Sequence, residues 1–461
     1  MKRTITILVL FITLQISAQC WQTISAGYSH SLAVKEDGTL WAWGSNGVGN
    51  LGDNTTVDKN TPIQIGTDAN WLKVCANFSS SYAIKADGTL WAWGVNSQGQ
   101  LGLGTSTFSY HVPTQVGTDT NWQSISSSDD YCLAIKTDGT LWSWGRNNFG
   151  QLGDNTTVNK NIPTQIGTDT NWQSVSAGHS YGLAIKSNGT LWAWGNNGNG
   201  RLGDGTTTNR TVPTQIGTDA NWQKVDGGYS HSLGIKTDGT LWAWGTNTSG
   251  EFGIITSPLI SYVPIQIGTD TNWQDVSASQ WFSYAIKTNH SLWSTGRNNE
   301  GQLGNGTSST TNTLVFTQVG TFSDSYEIAT GFYHVIEKNG DGFIRVTGKN
   351  NRGQLGNETN VNINTLTYIS CYPSTLSSEN FEINELKVYP NPVSDVLHFS
   401  MDKEIERISI CNLMGQEIFK KETNATDVTI DVSNLTSGTY LAKITSNDAN
   451  KTTKTIKIVK K

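Results

Sequence analysis

One segment of about fifty residues is written into this chain repeatedly, and that repetition limits the possible folds more than any other feature. Trp-led openings fall at Trp21, Trp71, Trp122, Trp172, Trp222 and Trp273, at intervals of 50, 51, 50, 50 and 51. A divergent seventh copy starts near Tyr326, with a one-residue deletion before Gly348. The internal order is constant. In the fourth copy it runs Trp172-Gln-Ser-Val-Ser-Ala-Gly, Leu183-Ala-Ile-Lys, a turn, Leu191-Trp-Ala-Trp-Gly, a long polar loop, and Pro213-Thr-Gln-Ile-Gly. Four short apolar or alternating runs separated by turns read as four strands. Four-stranded repeats that cannot bury their faces alone stack radially, so seven copies predict an all-β, seven-bladed propeller.

The turn chemistry agrees. Asp37-Gly38, Asp87-Gly88, Asp138-Gly139, Asn188-Gly189 and Asp238-Gly239 join the second and third strands, and such pairs tolerate the positive φ of a tight hairpin. Asn289-His290 breaks the rule, so the sixth hairpin is expected to be strained or different. Runs such as Leu32-Ala33-Val34 are apolar on both faces, as strands buried between neighbouring blades must be. All 18 Trp lie in the repeats, and the Trp-x-Trp pairs read as inter-blade core.

The ends of the chain carry different signals. Lys2 and Arg3, an apolar run from Ile5 to Ile16, and Ser17-Ala18 form a secretion signal over residues 1–18. Gln19 occupies the position where lipid anchoring through Cys20 would need a small residue. The propeller is expected over 19–371, a Ser/Glu/Asn-rich linker over 372–385, and a second domain over 386–461. That tail has no Trp, and its runs at 396–399, 408–410, 428–432 and 440–444 read as strands of a small β-sandwich. The formal charge of −6 argues against nucleic acid as a partner, and no transmembrane segment is expected in the mature chain.

Two resemblances follow from these motifs. Ala-Gly-Tyr-Ser-His-Ser (26–31), Asp-Gly-Thr-Leu-Trp-Ala-Trp-Gly (37–44) and Gly-Gln-Leu-Gly-Asp (150–154) resemble repeats of the regulator of chromosome condensation family over about residues 21–370. The resemblance implies a seven-bladed propeller, in a family that includes nucleotide exchange factors and a secreted inhibitor of β-lactamases. The tail, with Leu386-Lys-Val-Tyr-Pro-Asn-Pro, Leu435-Thr-Ser-Gly-Thr-Tyr and the closing Lys457-Ile-Val-Lys-Lys, resembles the C-terminal sorting domain of type IX secretion. That resemblance implies recognition of residues 386–461 by the secretion machinery and a secreted or outer-surface location.

Little in the sequence announces chemistry. Gly47-Val-Gly49-Asn-Leu-Gly52 and Gly198-Asn-Gly200-Arg-Leu-Gly203 match G-x-G-x-x-G, but no helix pattern follows to hold a phosphate. Asp53, Asp154 and Asp204 read as turn caps rather than calcium ligands, and no metal or cofactor is expected. Lys35, Lys85, Lys136, Lys186, Lys236, Lys287 and Lys338 read as a solvated rim. The loop between the first two strands is where the repeats differ most. It reads Tyr28-Ser-His30, Phe78-Ser-Ser80, Asp129-Asp130-Tyr131 and His179-Ser-Tyr181 in the first four copies, and Tyr229-Ser-His231, Gln280-Trp281-Phe282 and Phe332-Tyr333-His334 in the last three.

Constant flanks around changing loop residues suit a scaffold that displays contacts. These side chains are therefore the candidate binding residues of a monomeric, non-enzymatic module for a protein partner. A cell-surface glycan or a polysaccharide-processing role is the alternative, and nucleotide exchange a remote one. Ring closure also brings Cys20 towards Cys371, which makes a disulfide between them an expectation, with two unrelated thiols as the alternative.

Overall fold

The computed structural model describes residues 20–255, 259–369, 386–412, 417–447 and 453–461. The expected signal (1–18), the linker (372–385) and Cys371 lie outside the described residues.

Seven four-stranded antiparallel sheets follow one another along the chain, each with its strands in sequence order. The first comprises Trp21–Ala26, His30–Lys35, Leu40–Gly44 and Lys59–Gln64. First strands of successive blades touch, and the first blade's touches the seventh's, so they surround the axis and the ring closes. Every blade is complete within its own repeat, and contacts such as Trp21 N donating to Gly342 O at 2.9 Å join the first blade to the seventh.

Seven apolar clusters fill the seams, each shared by two neighbouring blades. Leu32 and Val34 pack towards blade two while Ala33 packs towards blade seven, which is why the second strands are apolar on both faces. The second indole of each Trp-x-Trp pair makes the joint. Trp43, Trp93, Trp144, Trp194 and Trp244 are fully buried. Each donates Nε1–H to a backbone carbonyl of the preceding blade, at 2.7–3.0 Å. The acceptor belongs to the residue before the Leu of the Gln-Leu-Gly motif, and a Cβ added at Gly52 would stand 2.8 Å from the Trp93 indole nitrogen. The last glycine of each apparent phosphate fingerprint, Gly52 and Gly203, thus clears room for the next blade's tryptophan.

The lysine ring is not a solvated rim. Lys35, Lys85, Lys136, Lys186, Lys236 and Lys287 are buried, with each ammonium 3.7–4.1 Å from the centroid of the first Trp-x-Trp indole. The opener indole lies 4.5–5.2 Å away on another side. In five of the blades an aspartate from the preceding linker, such as Asp119 for Lys136, completes the cage at 2.6–2.7 Å. Two ring faces and a carboxylate replace the water that burial removes. The seventh blade departs: its register puts Asn339, not Lys338, at this position, and Lys338 pairs with Glu327 at 2.7 Å.

The hairpins explain the Asp-Gly-Thr-Leu-Trp motif. Asp37 accepts from the Thr39 backbone and hydroxyl, and Thr39 Oγ1 in turn accepts the Trp41 indole N–H at 2.8 Å. The sixth hairpin keeps these bonds with Asn289, Ser291 and Trp293, so it is not a different turn. Its strain is local: His290 holds φ +60, a conformation that disfavours residues with a Cβ by about 1 kcal/mol. Asp53, Asp154 and Asp204 cap their loops as expected, each accepting from the Thr two residues on and from an Asn amide.

The tail is a separate five-stranded sheet. Runs 396–399 and 408–410 are two halves of one strand, Val396–Cys411, not two strands. A register break between Ser400 and Ile405 lets Leu397 and Phe399 share a core with Ile408 and Ile410.

The seventh blade supplies a stability prediction. At the cross-strand pair occupied by Ala33 and Trp41 in blade one, it carries Glu337 and Arg345. Both are fully buried, in a two-bond ion pair at 2.6 and 2.7 Å, with Asp324 on the same guanidinium. Removing one buried partner strands a charge, typically at 3–5 kcal/mol. Glu337→Ala should therefore destabilise the propeller by about 3 kcal/mol or more in denaturant titration. Adding Arg345→Trp, which restores the pair of the other blades, should recover most of that loss. A double variant less stable than the single would contradict this account.

Candidate binding site at the axial mouth

Each variable loop offers three side-chain positions, and they meet three different environments. The third position lies buried between blades. His30, Tyr131, Tyr181, His231 and Phe282 are at most 1 % exposed, so these five expected contact residues cannot reach a partner. They staple neighbouring blades instead. The imidazoles of His30, His231 and His334 meet Ser81, Ser283 and Ser31 of the next blade at 2.9–3.0 Å. Each serine already donates its proton to a carbonyl, so the imidazole donates through Nε2–H and is neutral. Burial holds all three down to about 3. Tyr131 donates to the backbone carbonyls of Gly178 and Tyr181, and Tyr181 to that of His231 at 2.7 Å. Phe282 fills the corresponding space by packing edge-on against Tyr284.

The first position converges on the axis. Tyr28 lies 4.4 Å from Phe78 and 4.7 Å from Phe332, ring centre to ring centre, and Phe332 also touches Tyr229 at 6.4 Å. Residues more than 300 positions apart thus form one aromatic cluster, in which Phe78 is 43 % exposed. Blades three and four contribute Asp129 and His179, paired at 2.7 Å, with the imidazole against the Tyr229 ring at 3.9 Å.

The second position borders this cluster, with Tyr333 5.9 Å from Tyr28 and Trp281 6.5 Å from Tyr229, ring centre to ring centre. Trp281 lies 4.5 Å under the Arg297 guanidinium and Tyr333 lies 4.7 Å under the Lys349 ammonium. Asp130 pairs loosely with Arg146 at 3.7 Å and accepts from the Gln100 amide. Burial, then the adjacent Asp129, pushes the Asp130 carboxyl above the usual range.

Beneath the rings a cavity of about 220 Å³ continues between the inner strands. Its walls are mostly Ser, Ala and Gly. Hydroxyls of Ser25, Ser126 and Ser176 accept a backbone N–H from the next inner strand at 2.9–3.0 Å, which satisfies edges the sheets leave open. Blade five has Asp226 in that place, bonded to Ala278 N and to the Ser176 hydroxyl at 2.7 Å. Burial pushes its carboxyl up to about 6. Three buried polar atoms of residues that line it have no partner, Asn77 Nδ2, His179 Nδ1 and Gln280 Oε1. Neither Asn77 nor Asp226 was singled out by sequence reasoning. The available signal was departure from the repeat: Asn77 stands where blades one, five and seven have Gly27, Gly228 and Gly331, and Asp226 where the others carry mostly serine.

Comparisons with known proteins bear on both domains. Residues 10–259 match the RCC1-like domain, residues 238–286 the regulator of chromosome condensation (RCC1) repeat, and residues 387–460 the secretion system C-terminal sorting domain. Ulvan lyase NLR42 of Nonlabens ulvanivorans is 30 % identical over 189 residues, 39 % of this chain and 33 % of that protein. The ultraviolet-B receptor UVR8 of Arabidopsis thaliana is 26 % identical over 140 residues, 30 % of this chain and 32 % of the receptor. The chain thus spans about a third of the length of each of these relatives.

Among solved structures, yeast RCC1 (Prp20) bound to Kap60 superposes with a TM-score of 0.65 at 15 % identity, over 80 % of this chain and 91 % of that one. Human WBSCR16 gives 0.64 at 18 % identity, over 72 % and 94 %. Identities this low establish the propeller fold alone. No helix among the described residues is long and apolar enough to cross a membrane.

The buried imidazoles set a pH dependence. Unfolded, each titrates near about 6.5. The unfolded chain therefore binds more protons than the native one between about pH 3 and about 6.5, and stability falls as the pH drops through that window. Asp226, raised to about 6, and Glu251, raised by burial to about 7, act the opposite way, losing stability as the pH rises towards those values. Asp130 and Glu337 are also raised by burial, and the three large imidazole displacements outweigh these four smaller ones. The melting temperature should fall from about pH 7 to about pH 5, and His231→Gln should make that fall shallower. A melting temperature that rises on acidification would contradict the neutral inter-blade imidazoles.

Proposed function

The chain belongs to the RCC1-like domain family and ends in a sorting domain that directs it to the cell surface or extracellular space, and from that premise we propose that its propeller binds an extracellular polysaccharide at the axial mouth. The observation that carries this reading is the convergence of Tyr28, Phe78, Tyr229 and Phe332, with the Asp129–His179 pair, over one cavity. Ring faces pack on the C–H faces of sugars, while carboxylate and imidazole meet hydroxyls. The relative named as an ulvan lyase supports the polysaccharide class.

The reading is binding rather than cleavage. His179 beside Asp129 has the form of a base and its orienting carboxylate. Elimination from a uronate also needs a cation or a preorganised donor set at the carboxylate, and among the described residues no lysine or arginine lines the cavity.

A protein partner is the second reading, favoured by Trp281 under Arg297 and Tyr333 under Lys349 at the outer edge of the mouth. Tryptophan, tyrosine and arginine are the residues that dominate protein interfaces. Location and sorting set nucleotide exchange aside, because its GTPase partners are cytoplasmic. The disulfide between Cys20 and Cys371 remains part of this proposal: Cys20 is buried beside Gly342 at the seam between blades one and seven.

Affinity electrophoresis of the exported protein in gels containing soluble polysaccharides, ulvan among them, tests the two readings. At least one polysaccharide should retard the protein, and Phe78→Ala should weaken retention at least about ten-fold with an unchanged melting temperature. Trp281→Ala should have a smaller effect. Loss of retention with Trp281→Ala but not with Phe78→Ala would move the site to the outer rim and contradict the axial reading.

A further inference from the structure

The wall of the axial cavity says more about the ligand than the mouth does. This inference rests on the polysaccharide reading above and narrows it to one chemical class. Asn77 is 5 % exposed; its Oδ1 is used by the N–H groups of Ser79 and Ser80, and its Nδ2 has no partner. Opposite in kind is the unpartnered acceptor Gln280 Oε1. Unpartnered polar atoms on lining residues of blades two, four and six (Asn77, His179 and Gln280) suit a ligand with hydroxyls, since a hydroxyl both donates and accepts. The ring faces of Tyr28, Phe78 and Phe332 call for an apolar face on the same ligand.

Size and charge restrict it further. The cavity's 220 Å³ exceeds the ~150 Å³ that holds a benzene-sized ring, so one six-membered ring fits. The carboxylates on its wall are Asp129 and Asp226, and among the described residues no lysine or arginine accompanies them. A uronate or sulfate ester there would meet like charge without a counter-ion. Loops from all seven blades surround the mouth, so a chain enters by an end or a branch and not sideways as along a groove.

We propose that the axial cavity seats a single neutral pyranose residue, the terminus or branch of a glycan chain, with its hydroxyls on Asn77 and Gln280 and a face against the aromatic cluster. A basic side chain of a protein is the competing ligand for an acidic, aromatic site, but it would leave the Asn77 donor facing a cation.

Isothermal titration of the exported protein with neutral tetrasaccharides (β-1,4-glucan, β-1,3-glucan, β-1,4-mannan and β-1,4-xylan) and with tetragalacturonate tests this. At least one neutral chain should bind, and at least ten-fold more tightly than tetragalacturonate. Asn77→Gly gives this blade the residue the repeat carries elsewhere, so it should fold normally and should weaken neutral binding at least ten-fold. Tighter binding of tetragalacturonate, neutral binding indifferent to Asn77→Gly, or displacement of the neutral chain by a lysine- or arginine-rich peptide would each overturn the proposal. With retention in polysaccharide gels intact, any of these outcomes leaves the binding reading standing. Silence in both experiments removes both.

Discussion

The ring depends on one joint repeated at its seams: a buried indole that donates its N–H to a backbone carbonyl of the blade before it. A propeller blade is an open sheet with apolar faces, and it is stable only when both are covered. The indole covers area and fixes register in the same contact, because the hydrogen bond is lost if a blade slides. Trp43 closes the circle by donating to Gln354 of the seventh blade. Where tryptophan is absent, Thr295 and Thr347 donate to the carbonyls of Gly250 and Gly301, one residue earlier in the motif, so a cross-blade bond survives the loss of the ring system.

That joint frees the axial end of the loops from structural duty. The position two residues later in each loop carries the inter-blade staples, and the outer hairpins carry the lysine cages. Tyr28, Phe78, Asp129, His179, Tyr229 and Phe332 can then vary without unmaking the ring. They come together because seven equivalent positions point at one axis. The carboxylates, orphaned amides and aromatic faces there form a mixed polar and apolar surface of the kind that suits sugars.

Much of this was legible in the sequence because the repeat states its own geometry. Spacing gave the blade number, Asp-Gly pairs the hairpins, and twin-faced apolar runs the seams. What was not legible depended on which way a side chain turns between two sheets. Lys136 beside a turn looks solvated until Trp122 and Trp142 are seen to close around it. His30 and Tyr28 are two residues apart in the same loop, yet one is sealed between blades and the other faces the axis. Alternation along a strand does not extend through a loop, so periodicity could not separate them. The seventh blade hid its register because Arg345 and Glu337 replace an indole and an alanine. The tail's long strand read as two because its register break interrupts the alternation.

The central claim is that residues scattered over seven repeats act as one site at the axis. Hydrogen–deuterium exchange of the exported protein, with and without the glycan it retains, measures this most directly. Binding at the axis should slow exchange in the first-to-second-strand loops of most blades together, around residues 28, 78, 129, 179, 229, 280 and 332. Protection confined to one blade, or to outer strands such as Lys59–Gln64, would contradict it.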